Sequence, residues 1–142
     1  MSVRTSDPYK HYLENQIDSA GAADLLLMLY GGALNFIRQA KNAVLEDDIQ
    51  EANRLIGRVQ DIVAELMGAL DIESGDLAVK LFNLYEYMFR QLVQANLKKE
   101  NSYLEEVESM LASLKQSWEE SQENVVEQVP LNNNTETINR EC

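Results

Sequence analysis

The chain is poor in the residues from which most catalytic and metal sites are made. It carries one histidine, His11, and one cysteine, Cys142, in 142 residues. A single histidine excludes two-histidine metal sites, metalloprotease helices and the paired Glu-x-x-His ligands of di-iron bundles. The lone thiol has no second cysteine to pair with, which leaves neither an internal disulfide nor a thiol nucleophile placed among helices. No Gly-x-Ser-x-Gly turn occurs, and Gly31-Gly32 lies inside a helical pattern, not at the strand-to-helix turn where a phosphate loop belongs. Carboxylates such as Glu46, Asp47, Asp48, Glu105, Glu106, Glu119 and Glu120 are plentiful, but they fall at helix starts and on solvated faces. There they serve solubility and the helix dipole, not paired acid and base work. The expectation is a protein that is not an enzyme, with no catalytic residues, cofactor or metal.

Basic residues are also scarce. Twelve Lys and Arg stand against 24 Asp and Glu, for a net charge of -12, and Lys98-Lys99 is the longest basic cluster. Such a surface repels phosphates, so nucleic acid and anionic membrane are poor partners. The longest apolar run, LLLMLY at 25–30, is far too short to cross a bilayer, and MSVRTSDPYKHYLENQ has no apolar core of a signal peptide. The expected location is the cytosol, without membrane insertion. In that compartment the acceptor-like Asn133-Asn134-Thr135 carries no meaning.

With only six glycines and two prolines, little interrupts helix formation. Four stretches keep the alternating three- and four-residue spacing of one helix face. Leu26, Tyr30, Ala33, Ile37, Ala40 and Val44 mark a helix over about 22–45; Ile49, Ala52, Ile56, Val59, Val63, Leu66 and Leu70 mark a second, capped by Asp47 or Asp48. Leu77, Leu81, Leu84, Met88, Leu92 and Ala95 form the seam of a third, with Asp76 as its cap. A fourth begins at Asn101 or Ser102, with Ser102-x-x-Glu105 as a capping box, and continues through Leu104, Val107, Leu111, Leu114 and Trp118. Helices of roughly 20 to 24 residues, about 30 to 36 Å each, joined by short connectors, predict an all-α, antiparallel up-down-up-down four-helix bundle. The bundle spans 22–124. Before it, residues 1–21 form a segment in which Tyr9, Tyr12, Leu13 and Ile17 share one side of a short helix. After it, 125–142, with Pro130 and three consecutive Asn, reads as a disordered tail.

The third helix carries more apolar surface than a bundle seam needs. In LFNLYEYMFRQLVQAN, at 81–96, Phe82, Tyr85, Phe89 and Val93 form a second row beside the seam. Together they widen the apolar arc to roughly 180°, against about 100° for an ordinary surface helix. Helix two has a weaker second row in Leu55, Ile62 and Ala69, and helix one has Leu25, Leu29 and Phe36. Either a squat bundle buries these rows, or it exposes one or two apolar grooves able to receive an amphipathic helix. Tyr30 and Tyr85 suit a half-wet groove, each joining a ring to a hydroxyl. Asn96, within the apolar arc, either hydrogen-bonds a partner's backbone or helps to end the helix.

These residues resemble a known family. LLLMLYGGALNFIRQA (25–40), NRLIGRVQDIVAELMGALD (53–71), LFNLYEYMFRQLVQANLKKE (81–100) and Ser117-Trp118 together are similar to the flagellar secretion chaperones known as FliS. The Leu-Tyr-x-Tyr-Met-x-x-x-Leu-x-x-Ala-Asn pattern at 84–96 is the most specific part. Two positions depart from the family's pattern. Ala22 stands where a proline commonly opens helix one, and Gly31 where an acidic residue follows Leu-Tyr. The resemblance implies a cytoplasmic chaperone that binds the disordered C-terminal segment of flagellin, prevents premature polymerisation and, when loaded, delivers it to the flagellar type III export gate. The rows and polar positions read above, Leu25, Leu29, Tyr30, Leu55, Ile62, Phe82, Tyr85, Phe89, Val93 and Asn96, are the expected receptors of such a client. The resemblance also implies that Tyr9, Tyr12, Leu13 and Ile17 cover part of the site when no client is present. A rival reading places the same rows in a homodimer, with no client required.

Overall fold

The computed structural model describes the backbone of residues 21–132 and the side chains of 21–122. Four helices follow one another: α1 Ala22–Leu45, α2 Ile49–Gly68, α3 Asp76–Lys98 and α4 Asn101–Asn132, with a single 3-10 turn, Ile72–Ser74, between α2 and α3. The fold is the expected all-α up-down-up-down bundle. The chain forms two compact units. Met28–Ser113 contains the bundle core, and the described residues of the other unit are 21–27 and 114–132.

In Met28–Ser113 each helix contributes one apolar stripe to a common core. The stripes are Tyr30, Ala33, Leu34, Ile37, Ala40 and Ala43 of α1; Ala52, Leu55, Ile56, Val59, Val63 and Leu66 of α2; Ala78, Leu81, Tyr85, Met88, Leu92 and Ala95 of α3; and Leu104, Val107 and Leu111 of α4. Glu108 of α4 pairs with Lys41 (2.7 Å) and Arg38 (3.4 Å) of α1. On the other side of α4, Glu106 accepts from the hydroxyl of Tyr87 and the amide of Gln91 on α3, both at 2.8 Å. These polar ties place α4 between α1 and α3. As exposed or part-exposed pairs they set neighbours more than they stabilise.

Two expected seams are corrected. On α3, Leu77 and Leu84 are 63% and 39% exposed, and the buried row runs through Ala78 and Tyr85 instead. The 78, 81, 85, 88, 92, 95 spacing alternates three and four without a break, which keeps the stripe straight along the helix. On α2, Ile49 is the first helical residue and is 46% exposed, while Leu55 joins the core. Leu26, Val44, Leu70, Leu114 and Trp118 are half-buried.

The helix ends show which local signals operate. Asp47, at φ 62°, takes the left-handed position after α1; its N–H donates to the Val44 carbonyl and that of Asp48 to the Ala43 carbonyl, which is a Schellman ending. Asp48 then caps α2, accepting from the Glu51 N–H at 3.2 Å. Lys99, at φ 55°, ends α3 by donating its N–H to the Ala95 carbonyl. Asp76 does not cap α3; the cap is Gly75, at φ 137° and without a side-chain bond, and Asp76 is the first helical residue. Ser102 lies inside α4, which starts at Asn101, so Ser102-x-x-Glu105 is not a capping box. There the Asn101 amide instead donates to the Lys41 carbonyl at 3.2 Å. The helix also passes the boundary expected at 124 and reaches Asn132. Glu and Gln in this stretch are good helix formers. The remainder of the expected tail lies outside the described residues.

Candidate functional site

The residues expected to form a groove divide into two groups. Tyr30, Leu55 and Tyr85 are buried in the core, at 0%, 1% and 1% exposure. That placement corrects the expectation of half-wet tyrosines. The two hydroxyls meet across the bundle at 2.6 Å, so each ring is buried with its polar end satisfied. Burial first, and the bond to Tyr30 second, push the Tyr85 hydroxyl well above the ordinary tyrosine range, and it stays protonated. Leu55 is drawn in because it lies one position from Ile56 and within the width of the α2 stripe.

Phe82, Phe89 and Val93 are half-buried. At 100° per residue they occupy one flank of the α3 stripe, while Tyr87 and Gln91, which meet α4, occupy the other. The core seam of α3 is complete without them. Asn96 continues this flank, half-buried, where its carboxamide oxygen accepts from the Lys99 ammonium at 3.1 Å and its main-chain carbonyl accepts from the same ammonium. Asn96 therefore takes part in the α3 ending, and its NH2 group is the part of the side chain left to donate.

A second apolar furrow runs between α1 and α2. Leu29 and Phe36 of α1 and Ile62 of α2 are half-buried. Gly32 brings the helices close: a Cβ there would lie 3.7 Å from Ile62 Cδ1. Arg58 of α2 sets its guanidinium over the Phe36 ring, 5.5 Å from the centroid. Sequence periodicity ranks Arg58 as one more surface charge, since the stacking depends on how α1 and α2 face each other and leaves no mark in either helix alone. Leu25, in the other unit, is half-buried. Tyr9, Tyr12, Leu13 and Ile17 lie outside the described residues.

Among the described residues no group of three or more His, Cys, Asp or Glu could hold a metal ion. Among them, too, no helix is long and apolar enough to cross a membrane. What the surface offers is two apolar strips with hydrogen-bonding groups at their margins.

Comparison with known proteins gives these strips a setting. The chain is 36% identical over 115 residues to the flagellar secretion chaperone FliS of Bacillus subtilis, covering 81% of this chain and 86% of that one. It is 38% identical over 108 residues to the flagellar secretion chaperone FliSB of Pseudomonas aeruginosa, covering 75% and 86%. A crystal structure of a bacterial flagellar chaperone superposes with a TM-score of 0.71 over 82% of this chain and 95% of that one; at 20% identity this likeness concerns the fold. The family model described as flagellar protein FliS matches residues 5–125. The chain belongs to the FliS family.

Proposed function

We propose that this protein is a cytoplasmic secretion chaperone whose two apolar strips receive the disordered C-terminal segment of flagellin. In this reading it keeps that segment from polymerising and brings it to the flagellar export gate. The observation that carries the reading is the half-buried row of Phe82, Phe89 and Val93 on a helix whose core stripe is already filled by six other residues. A row that the core does not need is surface for a partner. The secretion-chaperone names of the relatives supply the kind of partner. A disordered client suits two separated strips, because it folds as it binds and can wrap from one to the other. Asn96 contributes an NH2 donor at the end of the α3 strip. Tyr9, Tyr12, Leu13 and Ile17 cover part of the surface when it is empty.

Calorimetric titration of the full chain with a peptide of the last forty or so residues of the host's flagellin, with sedimentation to fix stoichiometry, tests this. One-to-one binding with a strongly negative heat-capacity change is expected. A self-associated bundle that takes up no peptide would assign the aromatic rows to a homodimer and overturn the proposal. Removal of residues 1–18 is expected to tighten binding, and unchanged or weaker affinity would refute the covering role.

A further inference from the structure

The furrow between α1 and α2 is apolar along α1, and the charge that stands over its floor is a cation. From Met28 to Ala43 the flank of α1 turned to α2 carries Leu29, Gly32 and Phe36 and no charged residue, since Arg38 and Lys41 are held on the α4 side by Glu108. On α2, Arg54 is engaged by Glu51. Arg58, one turn further along, makes no ion pair among the described residues and lies over Phe36. Asp61 and Glu65, the carboxylates that follow on the same helix, do not come within ion-pair distance of it, though they are part of the field any ligand meets.

Arg58 is exposed, and its guanidinium is held beside the apolar strip by the Phe36 ring, 5.5 Å from the centroid. Its N–H edge fits a carboxylate bidentately. A guanidinium is also more weakly hydrated than an ammonium, which favours a charge-assisted bond to a carboxylate. An apolar strip with one such fork selects a segment that has an apolar stripe and a carboxylate at its edge.

Resting on the proposed function, we propose that Arg58 is a specificity-determining residue of this chaperone: the α1–α2 furrow takes a client segment, helical and amphipathic, in which an Asp or Glu borders the apolar stripe and pairs with the Arg58 guanidinium. A second copy of this chain is a poor occupant. With a net charge of -12 on each copy, association of two copies is opposed by charge. The single local pairing with a client suffers less, because a short segment brings fewer charges.

The test uses the full chain and the host flagellin's C-terminal peptide, in its natural form and in variants in which each Asp or Glu in turn becomes Asn or Gln. One peptide variant is expected to bind about tenfold more weakly, the order of a charge-assisted hydrogen bond. Arg58→Gln is expected to lose about the same factor toward the natural peptide and to be insensitive to that peptide change. Arg58→Glu against a peptide with Lys at the identified position should recover affinity. Arg58→Lys, which keeps the charge but not the fork, should recover only part. Unaltered thermal unfolding of each variant shows that the bundle is intact. If the natural peptide binds but no acidic position matters to it, or if Arg58→Gln weakens all peptides alike, the inference is overturned while the proposed function stands. If Phe89→Ala and Arg58→Gln are both without effect because no peptide binds, the proposed function falls and the inference with it.

Discussion

The hydroxyls of Tyr30 on α1 and Tyr85 on α3 lie 2.6 Å apart inside the bundle, with both residues at or below 1% exposure. This bond joins two helices separated by α2 in the chain, and it explains how two polar-tipped rings come to be core residues. Tyr85→Phe removes one hydroxyl and strands part of the other's bonding capacity, at an expected cost of about 1 to 2 kcal/mol measured by urea unfolding at neutral pH.

The same pair gives the protein a basic limit. The Tyr85 hydroxyl ionises in the folded state well above the ordinary value of 10.0, whereas in the unfolded chain it ionises near that value. A raised folded pKa means that its contribution is fully present below about pH 10 and is lost progressively as pH climbs above that. Urea midpoints recorded from about pH 8 to 11 should fall at the top of this range. In Tyr85→Phe the fall should be shallower, and identical slopes for the two proteins would show that other groups control it.

Neighbouring residues on α3 separate core from the proposed binding surface. Met88 is fully buried, and Phe89 is half-buried on the flank. Met88→Ala is expected to cost about 2 to 5 kcal/mol of stability through transfer and cavity terms. Phe89→Ala should cost clearly less, about 1 to 2 kcal/mol, because the ring is already partly in water. Flagellin peptide binding should show the opposite order, with the Phe89 variant losing the greater share. Equal loss of stability in both would place Phe89 in the core and remove it from the binding strip.

How far these features are legible in the sequence depends on whether they are local. Helix positions follow from periodicity, which is why α1 is found at its expected bounds and α2 with Asp48 as its cap. The choice between Leu84 and Tyr85 for the α3 seam is not local. Both lie within one apolar arc, and Tyr85 is admitted to the core only because Tyr30 meets its hydroxyl from a residue 55 positions away. The role of Asn96 is likewise decided by Lys99 and the left-handed turn at the α3 end. Capping motifs mislead when a competing partner is near: Asn101 starts α4 with its amide donated to the Lys41 carbonyl, and the Ser102 motif is left one residue too far inside. Phe82, Phe89 and Val93 are legible as an excess of apolar surface. Arg58 over Phe36 is not legible at all, because neither helix alone records which of its outward residues faces the other.

Two glycines make opposite demands, and alanine at each should move stability in opposite directions. Gly32 sits in the interior of α1, where its freedom costs the helix and where an added Cβ would meet Ile62 Cδ1 at 3.7 Å, an ordinary contact. Gly32→Ala is therefore expected to stabilise by about 1 kcal/mol. Gly75 caps α3 at φ 137° and ψ -176°, a region that residues with a Cβ rarely enter. No heavy atom lies within 4 Å of a Cβ placed there, so crowding is not the obstacle. The strain is in the backbone itself, and Gly75→Ala should destabilise by about 1 to 3 kcal/mol even with open space around it. Thermal unfolding of the two variants beside the natural chain reads both signs in one experiment. A destabilised Gly32→Ala would mean that α1 and α2 approach more closely than ordinary contact allows. An unaffected Gly75→Ala would mean that the α2–α3 connector can find another path into the first turn of α3.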